Sequence, residues 1–378
     1  MITSSPTFCL APWTNLNIDQ TGRVMPCMHS STMLGNIKET TIQEVISGPV
    51  MLDIRHHIAR GEWHSACAWC KQLEDTTGVS GRTVRRSSPE TLDAIDNDIN
   101  WFSLEHIVVN WSNLCNLTCV YCNAETSTAW QSIKGIPINH VKNEHRDLIE
   151  LAKQHGKSVQ GLVLGGGEPL LQKGLLEFIK CLNPEQVNVL VTTNLSIDIT
   201  HNEIYQELKT WPHVDWQISF DNANKDKFEY VRNGAHWHQF VTNIDTMKSE
   251  AQHVQAHPAY SIYNAFDLVE YYEFCENKNL DMFWCELQHP WPLDARRLPL
   301  SLRQEAINEI DRVNERWGQC KGLAIDTLLR YKKQLADNTF LTNFDQKVDV
   351  LAFHIEREQE LTQTKTFKEL WPNIVRGL

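Results

Sequence analysis

At 378 residues, with 42% hydrophobic and 22% charged residues, the chain has a globular composition and room for two domains. Its formal charge of −12 argues against sequence-independent binding of nucleic acid, which needs a basic face. No window offers about 18 consecutive apolar residues, and the N-terminus has no basic region ahead of an apolar stretch, so the sequence predicts a cytoplasmic protein with no membrane partner.

Residues 1–75 read as a small α+β domain. Trp13 to Asp19 alternates, Gln20-Thr21-Gly22 turns, and Arg23 to Cys27 returns, which predicts a hairpin. Helices are expected from Thr41 and over Val50–Ala59. Eleven cysteines, odd in number and clustered, read as metal ligands rather than a disulfide framework. Cys9, Cys27, Cys67 and Cys70 make a set of four thiolates, which suits a closed zinc site or a fully ligated iron–sulfur cluster equally. Residues 76–103 read as a linker, with Arg82, Arg85 and Arg86 as solvated charges.

From residue 104 to about 290, short apolar strands alternate with helical stretches, which predicts α/β with a parallel sheet. The expected strands are Leu104–Val109, Gly161–Leu164, Val187–Thr192, Asp215–Phe220, Ala259–Tyr263 and Met282–Glu286, with a helix over Val141–His155. In parallel barrels the loops after the strands build the site. After the first strand, Cys115, Cys119 and Cys122 share one loop with spacing Cys-x3-Cys-x2-Cys; three thiolates without a nearby His can hold three irons of a [4Fe–4S] cluster and leave the fourth open. After the second comes Gly165-Gly166-Gly167-Glu168-Pro169, where backbone can approach a ligand closely and a carboxylate can accept from an ammonium. Residues 291–378 read as a helical extension without chemistry. Cys181, Cys275, Cys285 and Cys320 are expected in the core, and Glu286, His289 and Tyr263 are candidate acid–base groups.

The Cys-x3-Cys-x2-Cys loop with Tyr121 before its last cysteine, followed one strand later by Gly-Gly-Gly-Glu, resembles the signature of the radical S-adenosylmethionine (SAM) superfamily. That resemblance implies a partial (β/α)6 barrel, with SAM on the open iron, cleaved reductively to methionine and a 5′-deoxyadenosyl radical that takes a substrate hydrogen. It also implies roles in binding SAM for Tyr121, Gly166, Gly167, Glu168 (amino group), Asn194, Ser219, Asp221, Arg232 (carboxylate) and Ile262 (adenine). The order Cys9-Leu-Ala-Pro-Trp, Gly22-Arg-Val-Met-Pro-Cys27 and Cys67-Ala-Trp-Cys70 looks like a SPASM/twitch auxiliary-cluster domain, and four cysteines rather than seven suit the twitch form with one auxiliary [4Fe–4S] cluster. Such a domain usually follows the barrel; here it precedes it. The resemblance implies a low-potential electron donor such as flavodoxin or ferredoxin. It favours oxidation or cross-linking of a peptide or protein, although little chain precedes Cys9 to bind a leader. The alternatives are dehydrogenation of a small polar metabolite such as an aminocyclitol or sugar, and, outside enzymes, a zinc-binding scaffold.

Overall fold

The computed structural model describes residues 1–138, 146–337 and 346–378. The chain divides into two compact units. The first comprises residues 1–114, 210–214 and the described part of 139–191. Its strands are β1 (Asn15–Ile18), β2 (Arg23–Met25), β3 (Gly35–Asn36), β4 (His106–Asn110), β5 (Gly161–Gly165) and β6 (Asn188–Thr193), ordered β3-β2-β1-β4-β5-β6. The expected hairpin is β1 against β2, paired Asn17 to Met25. On its other side β1 runs parallel to β4, from Asn15 opposite His106 to Ile18 opposite Val109. β4, β5 and β6 then continue in parallel.

The N-terminal part packs Leu10, Trp13, Ile54, Ile58, Ala66 and Ile95 into one core. Ile54 and Ile58 fall four apart on the helix Pro49–Ala59, which opens on a proline whose missing N–H costs a first turn nothing. Ile95 comes from the helix Pro89–Asn97, inside the stretch expected as linker. The Ser88-Pro89 pair that suggested a loop is a helix start: Ser88 caps by accepting from Thr91 N–H at 3.2 Å, with Pro89 in the first turn. Arg82 is likewise no solvated charge. Its side chain is 11% exposed, pairs with Glu74, and donates to the carbonyls of Pro6 (3.1 Å) and Phe8 (2.8 Å).

The second unit comprises residues 115–138, 192–209 and the described residues from 215 on. It holds β7 (Val214–Ile218), β8 (His253–Ala256) and β10 (Asp281–Met282) in parallel, and β9 (Ala259–Tyr260) parallel to β11 (Cys285–Glu286). The expected fifth strand, Ala259–Tyr263, is shortened to β9, and an unexpected strand, β8, precedes it, the two separated by Pro258, which has no N–H for a ladder. Its core is aromatic, with Phe220 against Tyr271 (ring centroids 4.8 Å apart) and Phe240 (5.3 Å). The described part of the predicted helix Val141–His155 is Arg146–His155; residues 141–145 lie outside the described residues. The helices Leu300–Trp317, Ile325–Ala336 and Gln346–Glu360 form the helical C-terminal region. No described helix is long and apolar enough to cross a membrane.

Candidate functional site

In the second unit the cysteine loop has no regular structure, yet its peptide groups are bonded. Thr118 N–H donates to Asn233 O (3.0 Å), Val120 N–H to Val231 O (2.9 Å) and Cys122 N–H to Cys119 O (2.9 Å). From the helix Thr128–Ile133 and its cap come three side chains. Ser127 Oγ donates to Leu117 O (2.7 Å), Thr128 Oγ1 bonds both the N–H and the carbonyl of Cys115 (3.2 Å each), and Trp130 Nε1 donates to Cys119 O (3.0 Å). Leu117 and Val120 are buried and anchor the loop. The backbone is thus held in place while the sulfurs stay available. None of the three cysteines is in a disulfide; Cys119 is buried, and Cys115 and Cys122 are partly exposed.

The thiols are electrically uneven. Cys119 donates to the Cys122 sulfur and is buried, so its own pKa stands well above the ordinary thiol value. Receiving that hydrogen bond, with Arg232 close by, Cys122 is held below the usual range despite its burial. Asn194 Nδ2 points to the Cys115 sulfur at 3.7 Å, and the same amide donates to Asn116 Oδ1 at 3.0 Å. Three thiols on one braced loop, one of them held below the ordinary thiol pKa, are a donor set suited to iron.

Behind the loop, Asp221 is 1% exposed and accepts three bonds: from Tyr121 OH (2.9 Å) and Arg232 Nε (2.9 Å) on Oδ2, and from Ala259 N–H (3.0 Å) on Oδ1. The Arg232 guanidinium also lies over the Tyr121 ring, 5.3 Å from its centroid. Burial is the largest influence and works against the arginine's charge, but Asp221 together with Tyr121, Cys119 and Cys122 outweighs it and Arg232 stays protonated. Three residues assigned separately from sequence thus form one buried cluster. Ser219 and Ile262 are buried at strand ends, with their N–H groups on Thr193 O (2.8 Å) and Leu293 O (3.1 Å).

In the first unit, the glycine turn lies against residues 112–114, which lead in sequence to Cys115. Gly167 N–H donates to Ser112 O (2.9 Å) and Glu168 N–H to Leu114 O (2.7 Å). Gly166 has φ +107°, and a Cβ on Gly167 would sit 2.4 Å from Leu114 O, so both positions need glycine. Glu168 is fully buried and its carboxylate accepts from Leu170 N–H at 3.1 Å.

The other cysteines gather in that unit. Cys27 follows β2, and Cys67 and Cys70 flank the start of the helix Ala68–Thr77. Electrostatically, Cys9 feels Cys27 and Cys67, while Cys27 and Cys67 both feel Cys70. Burial pushes Cys9 up to about 12 and Cys67 up to about 11, a cost that a bound metal offsets. Arg85 stands near Cys9 and Cys27, with Nη1 buried and without a hydrogen-bond partner among the described residues. Among the described residues the one set of three His, Cys, Asp or Glu ligand atoms within 4.8 Å of one another is Asp53, His57 and His64, so neither cysteine set is that compact. That trio is a hydrogen-bonded cluster. His64 Nδ1 accepts from Ala66 N–H (3.0 Å), which leaves its proton on Nε2, facing Asp53 Oδ2 at 3.2 Å where a cation would have to sit.

Of the remaining candidates, Tyr263 is fully buried on His354, and Glu286 accepts from Gln288 Nε2 at 2.9 Å. His289 packs near Trp291. Cys275 is buried as expected, but Cys181 and Cys285 are partly exposed and Cys320 is exposed.

Two family models match the stretches of chain that carry these cysteines. The model of the radical SAM superfamily matches residues 109–275, and that of the SPASM iron–sulfur cluster-binding domain matches residues 9–71. Curated relatives include a GTP 3′,8-cyclase of Peptoclostridium acidaminophilum, 29% identical over 155 residues (39% of this chain, 43% of that protein). Another is a 7-carboxy-7-deazaguanine synthase of Clostridium acetobutylicum, 26% identical over 135 residues (35% and 54%). The chain spans about two fifths of the length of the cyclases it matches first. Among solved structures, SuiB of Streptococcus suis bound to precursor peptide SuiA has TM-score 0.44 and 12% identity, covering 89% of this chain and 76% of that one. The anSMEcpe protein with bound AdoMet has TM-score 0.41 and 17% identity, covering 56% and 60%. Cys115, Cys119 and Cys122 thus fall inside a radical SAM domain, and Cys9, Cys27, Cys67 and Cys70 inside a SPASM iron–sulfur cluster-binding domain that precedes it in the chain.

Proposed function

We propose that this protein is an enzyme that cleaves SAM reductively at a [4Fe–4S] cluster on Cys115, Cys119 and Cys122, and oxidises or cross-links a peptide or protein substrate. The observation that carries the reading is the braced loop, which carries three cysteines within eight residues and whose peptide groups are bonded by Ser127, Thr128 and Trp130. When bound, the cluster and SAM supply the electron transfer and the hydrogen abstraction. The chain's own residues hold and orient. Glu168 would accept the amino group of SAM, and Arg232, steadied on Asp221 through Nε, would meet its carboxylate with its remaining N–H groups. Asn194, Ser219 and Asp221 would serve the ribose side, Ile262 the adenine, and Gly166 and Gly167 would allow backbone approach.

Cys9, Cys27, Cys67 and Cys70 would hold a second, fully ligated cluster, which would supply an acceptor for the electron left by substrate oxidation. The match of residues 9–71 to an iron–sulfur cluster-binding domain supports iron–sulfur over zinc. A second reading, a small-molecule substrate such as a guanine nucleotide, is favoured by the relatives' names, GTP 3′,8-cyclase above all.

The test is anaerobic incubation with SAM and dithionite, following 5′-deoxyadenosine, and then deuterium transfer into it from labelled peptides or GTP. About eight irons per chain are expected. Protein that binds zinc alone and makes no 5′-deoxyadenosine would overturn the enzyme reading. Label arriving from GTP and not from peptide selects the second substrate class.

A further inference from the structure

The sequence offers no chemistry beyond residue 320, yet the C-terminal helix reaches the catalytic loop. Arg357, on Gln346–Glu360, is 12% exposed and donates through Nη2 to Cys122 O at 3.3 Å. Its guanidinium lies 4.5 Å from the ring centroid of Trp130, the residue that donates to Cys119 O. One stacked cation–indole pair therefore bonds the carbonyls of two of the three cysteines. Glu360 accepts from Arg357 Nη1 (3.1 Å) and also pairs with Lys134, so two cations share one anion and the group keeps a net positive charge. Nε of Arg357 is buried, with no hydrogen-bond partner among the described residues.

The same segment grips the loop from its other side. Tyr230 OH donates to Glu358 (3.1 Å), Gln363 Nε2 to Tyr230 O (3.3 Å), and Asn233 Nδ2 to Thr362 O (3.2 Å). Residues 230–233 are the stretch whose carbonyls receive Thr118 and Val120.

We infer that Arg357 is a positioning residue of the cysteine loop, which fixes the Cys119–Cys122 backbone together with Trp130 and places a permanent positive charge beside the bound cluster. The inference rests on the iron–sulfur reading above. A cluster gains negative charge on reduction, so a nearby fixed cation favours the reduced state and raises the potential. A planar guanidinium can stack and donate at once; an ammonium supplies charge without that geometry.

The experiment compares the parent, Arg357→Met and Arg357→Lys, each purified anaerobically and assayed for iron. An EPR-monitored redox titration follows the signal that Cys119→Ala removes, and a chelator follows iron release. Arg357→Met should keep its iron, shift the midpoint to lower potential, and lose iron to the chelator at least about tenfold faster, as loss of a charge-assisted hydrogen bond implies. Arg357→Lys should restore most of the potential but not the retention of iron. Should Arg357→Met fail to take up iron, the Lys variant alone decides, by rapid iron loss at near-parental potential. Full iron with parental potential and parental release in both variants would overturn the role of Arg357 and leave the iron–sulfur reading standing. A parent that takes up no iron would overturn that reading itself.

Discussion

Arg232 and Asp221 meet at 2.9 Å, Nε to Oδ2, with their side chains 10% and 1% exposed. The carboxylate also receives Tyr121 and the peptide of Ala259, so one anion ties together the residue before Cys122, the end of the helix Lys225–Val231 and the start of β9. Neutralising Asp221 leaves a buried guanidinium without its counter-charge. Asp221→Asn is expected to cost about 3–5 kcal/mol of stability, read from urea unfolding. Adding Arg232→Gln should recover part of that loss, since the stranded charge goes too. Equal stability of Asp221→Asn and parent would contradict the pairing.

Gly167→Ala places a methyl 2.4 Å from the Leu114 carbonyl and 2.7 Å from the Asn113 carbonyl carbon. Both obstacles are backbone and cannot swing aside. The glycine turn must move at a strain of about 1–3 kcal/mol, and SAM affinity is expected to fall about tenfold or more, one decade per about 1.4 kcal/mol. Equilibrium dialysis with labelled SAM checks this, and circular dichroism confirms that the fold persists.

The two cysteine sets should separate by function. Cys119→Ala is expected to abolish 5′-deoxyadenosine formation, with about four irons retained at the other set. Cys67→Ala should spare SAM cleavage without substrate but stop product. Parental 5′-deoxyadenosine from Cys119→Ala would remove the catalytic loop from the reaction.

His354 supplies a pH dependence. It is buried; its Nδ1–H donates to Val350 O at 2.6 Å, its Nε2 accepts from Tyr263 OH at 2.9 Å, and its ring stacks on Phe367. Burial holds its pKa down to about 3, from an ordinary 6.5. Below pH 6.5 the unfolded chain takes up this proton and the folded one does not. Stability therefore falls as pH drops from 6.5 towards 3, by up to about 1.4 kcal/mol per unit. Chemical unfolding at pH 7 and pH 5 should show a smaller acid loss in His354→Gln than in the parent.

What the sequence made legible was chemistry confined to short contiguous runs. Three cysteines within eight residues, a glycine turn after a strand, and alternating β1 and β2 could all be read directly, because spacing or period carries the signal. Partners distant in sequence could not. Arg357 lies 235 positions from Cys122, and no local pattern marks it as a loop brace. β8 was missed because His253-Val254-Gln255 carries a single large apolar residue, and its pairing with β7 is what marks it as a strand. Ser88-Pro89 signals loop and helix start alike, and the burial of Ile95 decides between them.

The parallel pairing of β1 with β4 has a bearing on how this protein can be taken apart. The N-terminal segment is no bead on a tether, since it supplies a strand to the sheet whose next member leads into the cysteine loop. Cutting it away would strip one flank of β4 and leave a row of unmatched amides and carbonyls, an invitation to self-association. Removal of the first 75 residues is thus expected to yield aggregates rather than a smaller enzyme, and swapping this module between homologues calls for junctions that carry the strand along.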